Sequence, residues 1–91
     1  MPEVTFDIVW PDGSKEQFYS PSTVVKKYIE SGQTYDLQDF VRRSQESLIL
    51  ASDRVKQMYG SPCALAIGQL RRVENKAIEF AAQDNAQVKV L

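Results

Sequence analysis

Five residues constrain this chain more than any others: Tyr59-Gly60-Ser61-Pro62-Cys63, set between two stretches of helical periodicity. Gly60 can take the left-handed conformation that closes a helix. Ser61 can accept from the free backbone N–H groups that open the next helix, and Pro62 suits its first position. The joint therefore predicts an antiparallel helical hairpin. It also places Cys63, the single cysteine of the chain, at the second helical position.

The flanking stripes agree with that reading. Leu37, Val41, Ser44, Leu48, Ala51, Val55 and Met58 follow one another in steps of three and four, with Phe40, Ile49 and Tyr59 widening the face. Asp36 stands as the N-cap and Asp39 in the first turn, where the helix dipole favours negative charge. Asp39 and Arg43 are four apart, a supporting pair on an exposed face. The second stripe is Cys63, Ala66, Ile67, Leu70, Val73, Ala77, Phe80 and Ala81, ended by Gln83-Asp84-Asn85. Gly68 lies within it, should cost roughly 1 kcal/mol relative to alanine, and puts the regularity of that helix in question.

Strands bracket the helices. Val4, Phe6, Ile8 and Trp10 alternate with Thr5 and Asp7, the period-two pattern of a half-buried strand. Pro11-Asp12-Gly13 reads as a type I turn with a glycine bulge, leading to a second strand over Lys15 to Tyr19. Ser22 can cap a short helix over Thr23 to Ile29, ended by Gly32, with Thr34-Tyr35 as connector. Ala86 to Leu91 alternates Val88 and Val90 against Gln87 and Lys89, a closing strand. The expected fold is α+β in one domain: a three-stranded sheet covered on one face by the helical hairpin and a short extra helix. The first strand is expected in the centre, beside the C-terminal one.

Composition excludes more than it assigns. The 91 residues suffice for one domain, and 43% are hydrophobic, enough for a modest core. Eleven bases against twelve acids leave a formal charge of −1. That balance disfavours a nucleic-acid or membrane-surface role driven by charge. The basic pairs Arg42-Arg43 and Arg71-Arg72 diverge around their helices and are interleaved with acids, the pattern of a solvated surface. No apolar run reaches the ~20 residues of a membrane span. One cysteine forms no internal disulfide, and the expected location is cytoplasmic. The chain has no histidine. That removes Ser–His and Cys–His pairs and the zinc sites of Cys₄ and Cys₂His₂ type. The residues nominate no catalytic, cofactor-binding or metal-ligating set.

Four residues are candidates for a ligand or reactive site. Cys63 at a helix start can be an activated thiol, or a small apolar residue at the top of the helical seam. The backbone amides after Ser61 can hold an anion, as every helix start can. Tyr28 and Tyr35 can line a pocket between the Glu30-Ser31-Gly32 connector and the hairpin, or staple that connector to the core. Val9 and Leu91, with an aromatic from Phe18 or Tyr19, are expected on the sheet face away from the helices, where an interface can form.

Several blocks of the sequence carry a resemblance. Trp10-Pro11-Asp12-Gly13, Tyr19-Ser20-Pro21-Ser22, Gly32-Gln33-Thr34-Tyr35, Asp39-Phe40-Val41, Ala51-Ser52-Asp53-Arg54-Val55 and Tyr59-Gly60-Ser61-Pro62-Cys63 occur in order along nearly the whole chain. Together they resemble a small bacterial family of nitrogen starvation response proteins. That family is encoded in a gene cluster with a nitrilase, an acetyltransferase-like protein, a radical-type enzyme and a flavoprotein. The resemblance implies service to nitrile or cyanide nitrogen metabolism and identifies no catalytic residue. The expectation is a non-enzymatic accessory or regulatory protein acting by protein–protein contact. Its partner would be an enzyme of the same cluster, or a second copy in a homo-oligomer. The alternatives are a thiol-dependent or small-molecule-binding enzyme subunit centred on Cys63, and a nucleic-acid-binding regulator.

Overall fold

The computed structural model describes residues 3–61 and 63–91; Pro62, expected to open the second helix, lies outside the described residues. The element order is β1 (Val4–Val9), β2 (Lys15–Ser20), a 3-10 helix (Thr23–Lys27), β3 (Thr34–Asp36), α1 (Leu37–Tyr59), α2 (Ala64–Glu79) and β4 (Gln87–Val90). The fold is α+β, with two helices on an antiparallel sheet of order β2-β1-β4-β3. β1 lies inside the sheet between β2 and β4, as its strong alternation implied.

The β1–β2 turn follows its residues closely. The Gly13 N–H donates to the Trp10 carbonyl at 2.8 Å, and the Trp10 N–H donates to the Ser14 carbonyl at 2.8 Å. Gly13 has φ +86°, the left-handed bulge position that glycine occupies without strain. Asp12 Oδ1 accepts from the Ser14 N–H at 2.9 Å and from its hydroxyl. The register sets Phe6 opposite Phe18 and Ile8 opposite Glu16. Phe18 therefore points into the core, and Tyr19 is the aromatic of the other pleat.

The sheet has four strands where three were expected. The Thr34-Tyr35 connector, with the capping Asp36, is the short strand β3 against β4, pairing Tyr35 with Val88. The segment before it is also tied to β4: the Gly32 N–H donates to the Val90 carbonyl and the Val90 N–H to the Gln33 carbonyl, both at 2.9 Å. Gly32 thus serves a turn at φ +84° and does not end the preceding helix. That helix is a 3-10 turn over Thr23–Lys27, shorter than the expected Thr23 to Ile29, as its β-branched run favours. Ser22 caps it by accepting from the Val24 N–H at 3.3 Å.

The helices carry two further corrections. Asp36 caps α1, accepting from the Gln38 N–H, and Gly60 closes it at φ +83°, both as the residues imply. Ser61, however, caps nothing: α2 begins at Ala64, and Cys63 is its N-cap, without a side-chain capping bond. The second helix also stops at Glu79, before the expected Ala81. Gly68 leaves it unbroken.

The core lies between sheet and helices. Ile8, Trp10, Phe18, Val88 and Val90 meet Leu37, Phe40, Leu48, Ala66 and Val73. Phe40 stands edge-on to both Trp10 and Phe18, with centroids 5.8 and 6.0 Å apart. The burial stops at Ala51 on α1: no later residue of that helix is buried, and Met58 and Tyr59 are 59% and 66% exposed. Length explains this. A 23-residue helix spans about 35 Å, whereas six-residue strands span about 20 Å. The hairpin therefore overhangs the sheet, and the expected packing of Val55, Met58 and Tyr59 against it does not occur.

Candidate functional site

The large apolar side chains exposed among the described residues are unevenly placed. All but Leu91 lie on α1 or α2: Ile49, Leu50, Met58, Tyr59, Leu65, Ile67 and Ile78. Helical geometry accounts for it. Leu48, Ala51, Ala66 and Val73 turn one face of the hairpin to the sheet. Ile49 and Ile67 follow Leu48 and Ala66 by one residue, about 100° round each helix, so they leave that face. Both face the helical seam.

There they line a shallow groove of two adjoining depressions. The larger, about 530 Å³, is lined by Tyr28, Gln45, Glu46, Ile49, Leu50, Leu70 and Glu74. The smaller, about 120 Å³, shares Ile49 and Leu70 and adds Ser52, Asp53 and Ile67 over Leu48 and Ala66. Tyr28 is held at one end by its backbone, whose carbonyl accepts from Arg43 Nη1 at 2.7 Å.

The sequence candidates are not brought together. Tyr28 lines the larger depression, and none of Tyr35, Ser61 and Cys63 does. Tyr35 staples the connector: its hydroxyl accepts from the Glu30 N–H at 2.9 Å, its ring lies 6.5 Å from Phe40, and the Arg43 guanidinium sits 4.9 Å over it. Ser61 is exposed at the hairpin tip. Cys63 is half-buried and packs against the core cluster. Burial, together with the nearby Cys63 thiol and Glu3, pushes the Tyr19 phenol up from its ordinary value.

Val9 and Leu91 lie on the pleat of the sheet turned away from the helices. Val9 is half-buried between Lys15 of β2 and Lys89 of β4, its direct cross-strand neighbours. Leu91 is exposed, and its N–H donates to the Asp7 carbonyl at 2.9 Å. Tyr19, opposite Thr5, is the expected aromatic of this pleat and is half-buried; Thr5, Asp7, Gln17 and Gln87 make the rest of the surface polar.

Two residues hold more than their sequence positions signalled. Arg43 bonds Asp39 through Nε at 2.9 Å as well as carrying Tyr28 and Tyr35. Hydrogen bonds from Arg42 and Arg43 hold the Asp39 carboxyl below its usual value. Gln69 is fully buried on the sheet-facing side of α2. Its Oε1 accepts from the Tyr19 N–H and from Arg72 Nη2, both at 3.0 Å, and its Nε2 donates to Glu16 at 3.3 Å. Its signal was a polar residue at the apolar spacing of Ala66 and Val73. α2 thus reaches the outer edge of the sheet at β2.

Among the described residues no group of three His, Cys, Asp or Glu side chains is placed to hold a metal ion, and no helix is long and apolar enough to cross a membrane. Comparison with curated proteins and with solved structures finds no match. A family model does match, over residues 5–91, almost the whole of the groove-bearing fold, and the chain belongs to that family, the nitrogen starvation-induced protein NitG.

Proposed function

We propose that this protein is a non-enzymatic accessory or regulatory protein of nitrogen starvation. It acts in the cytoplasm by contact with another protein, through the outer face of its helical hairpin. The observation that carries this reading is the uneven placement of exposed apolar side chains: Ile49, Leu50, Ile67 and the groove they border lie on the helices, while Leu91 is the one large apolar side chain exposed on the open sheet face among the described residues. Grouped apolar surface of this kind marks a contact site, where single scattered residues do not. The family description supplies the nitrogen-starvation setting. Service to nitrile or cyanide nitrogen metabolism, with a partner enzyme from the same gene cluster, is our reading from the sequence resemblance.

Affinity capture from nitrogen-starved cells tests this. A tagged wild-type chain should recover a defined partner, and a folded Ile49→Glu variant should lose it. Equal recovery by both would remove the hairpin from the contact.

A further inference from the structure

We propose that the groove between α1 and α2 seats a basic amphipathic helix of the partner protein. This rests on the contact reading above and names the chemistry of the occupant. The charged residues lining the two depressions are Glu46, Asp53 and Glu74; no lysine or arginine lines either. Composition does not produce this bias, since the chain has eleven bases and twelve acids. None of the three forms an ion pair: among the described residues, the ion pairs of the chain use Glu16, Asp39 and Glu79 instead, and Glu46 only attracts the Arg42 guanidinium from one turn away. The apolar floor of Ile49, Leu50, Ile67 and Leu70 is thus flanked by three carboxylates available to a cation.

The form of the occupant follows from its walls. Both walls are helices whose backbone groups are satisfied internally, so an extended strand laid between them would find no ladder partner and would leave its own N–H and C=O groups unpaired on desolvation. A helix satisfies its own backbone and offers an apolar stripe to a groove between two helices. Glu46 and Asp53 are seven residues apart, two turns of α1, with Ile49 between them. An apolar stripe flanked by lysine or arginine at the same two-turn spacing matches this arrangement. A second copy matches poorly. A two-fold contact places the same patch on both sides, which would set one acidic rim against the other.

The test uses two synthetic helical peptides of about 18 residues, five turns. Both carry leucines at i, i+3, i+4 and i+7; one is flanked by lysines and the other by glutamates. Binding to the full chain is read by fluorescence anisotropy at low salt, and the site by backbone amide chemical shifts. The lysine peptide should bind about tenfold or more tightly than the glutamate peptide, with shifts confined to Tyr28 and residues 45–53 and 66–74. The exposed Glu46→Lys/Glu74→Lys pair should keep the fold by circular dichroism and reverse that preference. Equal binding of both peptides, shifts on the sheet face, or a stable dimer that hides the groove would each overturn the proposal. If neither peptide binds while capture from starved cells still depends on Ile49, the helical occupant is wrong and the contact surface stands. If peptide binding holds while capture is indifferent to Ile49, the contact reading fails instead.

Discussion

The buried side-chain amide of Gln69 on α2 accepts a hydrogen bond from the backbone N–H of Tyr19 on β2, across fifty residues of sequence, at 3.0 Å. At Tyr19 the edge of β2 is thereby occupied by a side chain. Unpaired edge groups otherwise invite pairing with a second chain. Arg72 extends the clasp to Glu16, 3.7 Å away.

Gln69→Leu keeps the volume and removes the acceptor. It should destabilise the fold by about 1–3 kcal/mol, because the Tyr19 N–H then loses its partner in a half-buried setting. Urea denaturation measures this. A loss below about 0.5 kcal/mol, the scale of a neutral surface change, would show that the clasp contributes nothing to stability.

Two glycines should respond with opposite signs. Gly60 has φ +83° with open space where a Cβ would go. Gly60→Ala therefore suffers only the conformational penalty, about 1–2 kcal/mol. Gly68 is inside α2, and its nearest neighbour to a new Cβ is the flexible end of Arg72 at 3.9 Å. Gly68→Ala should stabilise by up to about 1 kcal/mol. Thermal melts of the two variants should move in opposite directions; a shared direction would contradict the helix boundaries.

The boundaries of α1 were the most legible part of the sequence. Asp36 and Gly60 delimit α1 by their own chemistry, as Pro11-Asp12-Gly13 delimits the first turn. β3 was hidden because three residues with one apolar side chain carry no alternation; Thr34–Asp36 is a strand only because β4 offers it a ladder. Ser61 looked like a cap, but the chain between Gly60 and Ala64 gives that position to Cys63. The groove was hidden for a different reason. Ile49 and Ile67 extend the helical stripes in sequence, and the stripe does not say where the sheet beneath it ends or which flank stays exposed.

Acid should weaken the fold through Asp39. Its carboxyl titrates below the ordinary value of 3.8 because Arg42 and Arg43 hydrogen-bond the charged form. A carboxyl depressed in the folded state contributes stability that is complete above its unfolded pKa and is lost as pH falls through the folded one. Asp39→Asn should flatten the dependence of melting temperature on pH below about 4, where the wild type declines. An identical acid slope in both proteins would remove Asp39 from the account.

Cys63 should react slowly in the native protein. It is half-buried against the core cluster at the start of α2. Labelling with an aromatic disulfide reagent should accelerate markedly on denaturation, since access limits the native rate. Native labelling as fast as in urea would favour a reactive thiol and the enzymatic alternative.

The hairpin, and not the open sheet face, is expected to make the protein contact. Amide hydrogen exchange of the chain with and without its captured partner tests it most directly. Added protection is expected in residues 45–53 and 66–74, with 4–9 and 87–91 unchanged. Protection centred on Val9 and Leu91, with the groove still exchanging freely, would contradict it.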